Sequence, residues 1–148
     1  VCDKAEFLLY AADRAQHFKE LIVPALERGQ IVISDRMADS SLAYQGFGRG
    51  LDRTMITSIN RWAMQEIVPD LTIFLRLAPA QALERARGRK ETLWAIEQEK
   101  LAFWQRVADG YEQIFEGRKN VVALDATQPI VVLCEQAVKR ISELLEKK

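Results

Sequence analysis

The chain has 148 residues, 49% hydrophobic and 28% charged, the composition of an ordinary soluble globular domain, with little room for disorder or for a second domain. Lys+Arg and Asp+Glu both number 21, so no global positive field exists to hold a nucleic-acid polymer, and any anion site has to be built from local arginines. Two cysteines, Cys2 and Cys134, and one histidine, His17, make neither a recognisable zinc site nor a disulfide framework; with no membrane-span-length apolar run and no basic-then-apolar leader, a cytoplasmic setting is expected.

Asp3-Lys4-Ala5-Glu6 has the form of a capping box, and the apolar positions Phe7, Leu8, Ala11, Ala15, Phe18, Leu21, Ile22 and Ala25 predict a long helix bent near Pro24 and closed by Gly29. Ile31-Val32-Ile33 is a short β-branched run, predicted to be a buried parallel strand. Residues 34–51 read as a functional loop containing a short helix. Asp52 can cap a second helix with Met55, Ile56, Ile59, Trp62, Ala63 and Ile67 on its inner face, ending by Pro69. Residues 71–77 form the next predicted strand, and Pro79 opens an arginine-rich helix reaching Arg89. A third long helix is predicted from about Ile96 to Phe115, with Leu101, Trp104, Val107, Ala108, Tyr111 and Ile114 on one face and Gly117 as its stop. A strand over 121–124, a turn at Asp125-Ala126-Thr127-Gln128-Pro129 and a closing helix over 130–145 complete the chain.

Strands alternating with helices predict an α/β fold with a parallel sheet and right-handed crossovers. Ligands of such sheets lie beyond the carboxyl ends of the strands, which directs attention to the segments starting at Ser34, Arg76 and Asp125.

Four groupings there could carry chemistry. Asp35-Arg36 puts a carboxylate and a guanidinium at the ligand edge; the arginine either grips a phosphate through paired charge-assisted hydrogen bonds or forms a structural ion pair. Tyr10 and Arg14 stand one turn apart on the first helix, suited to a planar heterocycle, or else Tyr10 is core and Arg14 is solvated surface. Ser40, Ser41, Tyr44 and Gln45 offer neutral donors and acceptors of the kind that read a sugar or a base edge. The nearby Gly46, Gly48 and Gly50 do not follow strand–glycine loop–helix order and are not a phosphate cradle. Arg85, Arg87 and Arg89 either face an anion or form a solvated helix balanced by Glu84 and Glu91. His17 is expected on a helix surface, and Arg76 is a charge at the end of an apolar strand with no mechanism attached.

In this order the segments resemble thymidylate kinases, particularly the bacterial type with arginines in its lid. The resemblance rests on Leu9-Tyr10-Ala11-Ala12-Asp13-Arg14, Ser34-Asp35-Arg36, Ser40-Ser41-Leu42-Ala43-Tyr44-Gln45-Gly46, Gly48-Arg49-Gly50, Pro69-Asp70-Leu71-Thr72, Arg85-Ala86-Arg87, Ile96-Glu97-Gln98-Glu99 and Asp125-Ala126-Thr127-Gln128-Pro129. It implies a P-loop kinase-like fold and one partial nucleoside monophosphate kinase domain over 1–148, with a lid at about 85–96. The implied substrates are dTMP and ATP, the implied cofactor is Mg²⁺, and the implied assembly is a homodimer. It further implies that Tyr10 stacks on thymine, Arg14 contacts a base carbonyl, Ser40, Ser41 and Gln45 read the nucleoside, and Tyr44 lies beside the deoxyribose and disfavours a 2′-hydroxyl. Arg36 is implied to bind the acceptor phosphate, Asp35 to lie near Mg²⁺, Arg85, Arg87 and Arg89 to cover the ATP phosphates, and Asp125-Ala126 to border the adenine.

The inventory suits that chemistry. A nucleoside monophosphate already presents an ionised oxygen near neutral pH, its second pKa being about 6, so catalysis needs positioning and charge neutralisation rather than a histidine base. Trp94-Ala95 replaces the Asp-Arg expected before Ile96-Glu97-Gln98-Glu99, which alters a lid contact. No Gly-x-x-x-x-Gly-Lys-Ser/Thr occurs, and the resemblance starts where about a third of the family's chain has passed. The chain is therefore expected to be an incomplete kinase domain, inactive alone, and unstable or self-associating through exposed strand edges. Two other readings stand beside this one: a non-catalytic nucleotide-binding or interaction module without a P-loop, and another nucleoside monophosphate kinase of the same fold.

Overall fold

The computed structural model describes residues 1–88 and 99–146, with the side chains of 86 and 87 outside the description. Its contacts divide the chain into two compact units, Val1–Val68 with Ala102–Ile114, and Pro69–Leu101 with Phe115–Lys148.

The first unit is helical. Helix α1 (Asp3–His17) runs through a wide π-helical turn (Phe18–Ile22) into α2 (Val23–Glu27), which carries Pro24 in its first turn. Proline lacks an N–H and crowds the carbonyl four residues back, so the widened turn before it relieves the clash without ending the helix. It also leaves both Phe18 and Ile22 facing inward, where they pack with Met64 and, around them, Val23, Met37, Ala38 and Ile67. A second buried cluster joins Phe7 and Ala11 of α1 to Ile56, bordered by Leu42, Leu51 and Ile59. Gly29, at φ 71°, ends the run as expected. The capping box does not form: Cys2 holds the N-cap position without a side-chain bond, and Asp3 lies inside the first turn. Glu6 instead accepts a 2.7 Å hydrogen bond from Gln45 Nε2, a tertiary partner that local pattern cannot announce.

The expected loop over 34–51 is mostly helical, as α3 (Ala38–Ser41) followed by a π-helical segment (Leu42–Gly48). Helix α4 (Arg53–Ala63) is capped as expected, Met55 N–H donating to Asp52 Oδ1 at 2.9 Å. It stops earlier than expected, because Gln65 and Glu66 take positive φ values of 52° and 60°. Helix α6 (Leu101–Phe115) buries Phe103, Val107 and Gly110. Its predicted start at residues 96–98 lies outside the described residues. The helix approaches the Leu42–Gly48 segment so closely that a Cβ on Gly48 would lie 2.6 Å from Phe103, and one on Gly110 would lie 2.7 Å from Phe47.

The second unit contains a two-stranded parallel sheet, β1 (Thr72–Arg76) and β2 (Val121–Asp125), in register from Thr72↔Val121 to Arg76↔Asp125. Helix α5 (Pro79–Arg87) follows β1 and helix α7 (Ile130–Leu145) follows β2. Asn120 fastens the start of the sheet: its carbonyl accepts from Thr72 N–H at 2.7 Å and its amide donates to the Pro69 carbonyl at 2.9 Å. The mixed α/β architecture with parallel pairing thus matches expectation in part. The predicted strand at Ile31-Val32-Ile33 is a correction: the segment is not a strand, and Ile31 and Ile33 are 63% and 83% exposed. A strand is held by ladder partners rather than by its own propensity, and no described segment pairs with this one. No helix among the described residues is long and apolar enough to cross a membrane.

Candidate functional site

In the first unit, Arg14 on α1 reaches across to α3 and α4. Its Nη1 donates to Asn60 Oδ1 at 2.7 Å and its Nη2 to Ser41 Oγ at 3.1 Å. Asn60 is only 3% exposed and uses its amide to hold the Ala38 carbonyl at 3.3 Å, so it cannot turn away without leaving buried groups unpaired. Burial pushes the Arg14 guanidinium below its ordinary value, with the nearby Asp13 charge opposing. Its two fixed partners are neutral, so they orient the charge without cancelling it, and the remaining N–H donors of the guanidinium are left for another acceptor. This decides against Arg14 as solvated surface. Tyr10, one turn earlier, is half exposed rather than core.

Tyr44 is buried, ringed edge-on by Phe103 at 6.3 Å, Trp104 at 5.9 Å and Tyr111 at 6.3 Å between centroids. The Arg36 guanidinium lies over the Tyr44 ring at 5.3 Å. Arg36 itself is at φ 67°, a left-handed conformation that is uncommon for a side chain of its size, and its carbonyl accepts from Ser34 Oγ at 2.9 Å. Ser40 Oγ and the Tyr111 hydroxyl are 2.9 Å apart. Burial, offset in part by the Ser40 bond, pushes the Tyr111 phenol up to about 12. Asp35 is exposed beside Arg36. Gln45 is buried and its amide is committed to Glu6.

Of the predicted residues of the second unit, Arg85, Asp125 and Ala126 gather at the carboxyl ends of β1 and β2. Arg85 Nη1 donates to the Ala126 carbonyl at 3.0 Å. Asp125 Oδ1 accepts from both the hydroxyl and the N–H of Thr127, at 2.7 and 2.9 Å, which holds its carboxyl below the usual range. A cavity of about 370 Å³ there is lined by Arg76, Asp125 and Thr127 among others, which gives the otherwise unexplained Arg76 a place at a concave edge. The Arg87 side chain, Arg89, Trp94 and Ala95, and with them most of the lid at 85–96, lie outside the described residues.

Sequence reasoning missed Asn60 as a partner of Arg14 and placed Tyr111 only on an apolar helix face. An asparagine interrupting the predicted apolar face of α4, four residues after Ile56, was the available signal for the first. His17 is exposed, as expected.

A family model described as Thymidylate kinase matches residues 1–137. The chain belongs to the thymidylate kinase family. Among its relatives, the thymidylate kinase of Halothermothrix orenii is 50% identical over 125 residues, covering 83% of this chain and 60% of that protein. The thymidylate kinase of Lactobacillus delbrueckii subsp. bulgaricus is 49% identical over 138 residues, covering 92% and 65%, and that of Synechococcus sp. CC9605 is 54% identical over 114 residues, covering 77% and 54%. The chain therefore spans less than two thirds of the length of these nucleoside monophosphate kinases.

Proposed function

We propose that this chain carries the dTMP-binding part of an ATP-dependent thymidylate kinase, with part of the lid and the adenine border. In the reaction, an oxygen of the dTMP phosphate bonds to the γ-phosphorus of ATP as the bond to the β-phosphate oxygen breaks, giving dTDP and ADP. The observation that supports the reading best is the fixing of Arg14 by Ser41 and Asn60, which presents an oriented cation one helical turn from the half-exposed ring of Tyr10. Tyr10 offers a stacking face to thymine and Arg14 a donor to a base carbonyl. Ser40, Ser41 and Gln45 shape the nucleoside loop, and the immobilised Tyr44 walls the sugar against a 2′-hydroxyl. Arg36 binds the acceptor phosphate, and Arg85, Arg87 and Arg89 act toward ATP, with Asp125-Ala126 beside the adenine.

Magnesium in such sites is held by one or two carboxylates together with substrate phosphates rather than by a protein cage. Exposed Asp35 suits that mode, and among the described residues no cluster of three metal-ligating side chains competes with it. The ion supplies neutralisation of phosphate charge, and the protein's own part is to hold the acceptor with Arg36 and Arg14. Two copies assembling as a homodimer belong to the same proposal.

Calorimetric titration of the chain with dTMP tests the reading. Wild type binds dTMP more tightly than 5-methyl-UMP, its ribonucleotide counterpart, and Arg14→Met weakens dTMP about tenfold or more, the scale of a lost charge-assisted hydrogen bond. Equal affinities of wild type and Arg14→Met for dTMP would sink it. With ATP and Mg²⁺ added, the chain alone makes no dTDP, since its sequence holds no P-loop.

A further inference from the structure

Helix α3 has only four residues, too few to hold its own shape, yet it carries both Ser40 and Ser41 of the nucleoside loop. What fixes it comes from elsewhere. Tyr111 lies on the fifteen-residue α6, 71 residues away in sequence, and its hydroxyl meets Ser40 Oγ at 2.9 Å. The ring of the same residue stands edge-on to Tyr44, at 6.3 Å and 81°, and Tyr44 in turn lies under Arg36. One side chain on a long helix therefore touches two residues of the acceptor loop at once, one through its oxygen and one through its ring.

A purely space-filling role would be met by phenylalanine, because a buried phenol is costly unless its hydroxyl is satisfied. The hydroxyl here meets a serine of α3. Its ionisation lies far above neutrality, so it stays a neutral donor and acceptor at every working pH.

We propose that Tyr111 is a positioning residue of the acceptor site, setting Ser40 and the Tyr44 ring together so that the deoxyribose of the acceptor is accepted and a 2′-hydroxyl is refused. This rests on the acceptor-site reading above. In this role Tyr111 acts through Ser40 and Tyr44, the two residues it contacts.

The test uses the 148-residue chain and Tyr111→Phe, which keeps the ring and removes only the oxygen, each titrated with dTMP and with 5-methyl-UMP. Wild type prefers dTMP, and Tyr111→Phe narrows that preference by about fivefold, the worth of one ordinary hydrogen bond. Ser40→Ala narrows it similarly, and the double variant narrows it no further than either single one, as expected when both changes break the same link. Thermal unfolding followed in parallel isolates the structural contribution: a hydroxyl that only stabilises the core lowers the melting temperature and leaves the ratio untouched. An unchanged ratio in Tyr111→Phe overturns the proposal while the acceptor-site reading stands. A wild-type chain that does not bind dTMP removes that reading, and the proposal falls with it.

Discussion

Arg14 shows how a helix-borne cation is fixed in one orientation. A guanidinium on an exposed helix sweeps many rotamers, whereas here two neutral acceptors on two other elements select one. The selection depends on Asn60, whose amide is itself held by a backbone carbonyl. Asn60→Ala should therefore lower stability by about 1–3 kcal/mol, the cost of leaving buried polar groups unpaired. It should also weaken dTMP binding while leaving ATP-side contacts alone, which chemical denaturation and titration calorimetry read separately. Tyr111 gives a residue-level prediction in pH. Its folded-state value, about 12, is raised above the ordinary 10. Its contribution is thus fully present below pH 10 and is lost as pH climbs through 12, because the unfolded chain ionises first. Wild type should lose stability over that window more steeply than Tyr111→Phe, and parallel slopes in alkaline denaturation would contradict the assignment.

At the level of elements, what is encoded locally was readable. The bounds of α7 follow from Pro129 and the apolar period behind it, the start of α4 from the Asp52 cap, and β1 and β2 from apolar β-branched runs ending in a charged residue. The residues proposed for the acceptor site stood out as types, since arginine, tyrosine and serine in one stretch suit few ligands. Their supports were not. The Asn60–Arg14 and Tyr111–Ser40 contacts span 46 and 71 residues, and nothing in a local window encodes a partner at that distance. Ile31-Val32-Ile33 failed for the complementary reason, since its propensity for strand is real but unmet by any described neighbour. The glycines of the Leu42–Gly48 segment were set aside in sequence as no phosphate cradle, and Gly48 is a packing residue. Gly48→Ala should cost about 1–3 kcal/mol through overpacking against Phe103, and Phe103→Leu in the same chain should recover part of that loss in thermal unfolding.

For the molecule as a whole, the dominant fact is apolar surface left in water. Leu8, Leu9, Leu21, Ile31, Ile33, Met55, Trp62 and Val68 of the first unit are all exposed. Single exposed apolar residues are normal, but an unpaired β-branched segment among so many invites pairing with another copy. Sedimentation should show association that grows with concentration, and Ile33→Lys should suppress it without reducing helix content; a dilute monomer with one sharp thermal transition would speak against this.

The paired close contacts between α6 and the Leu42–Gly48 segment have a mechanical consequence. Each partner contributes one glycine and one phenylalanine, Gly48 receiving Phe103 and Gly110 receiving Phe47, in the manner of two teeth in two notches. A slip of α6 along its axis would carry Gly110 away from Phe47 and bring a residue with a Cβ against that ring, since Leu101–Phe115 holds no second glycine. The helix is therefore indexed against that segment, which holds the Tyr111 hydroxyl it carries at the height of Ser40.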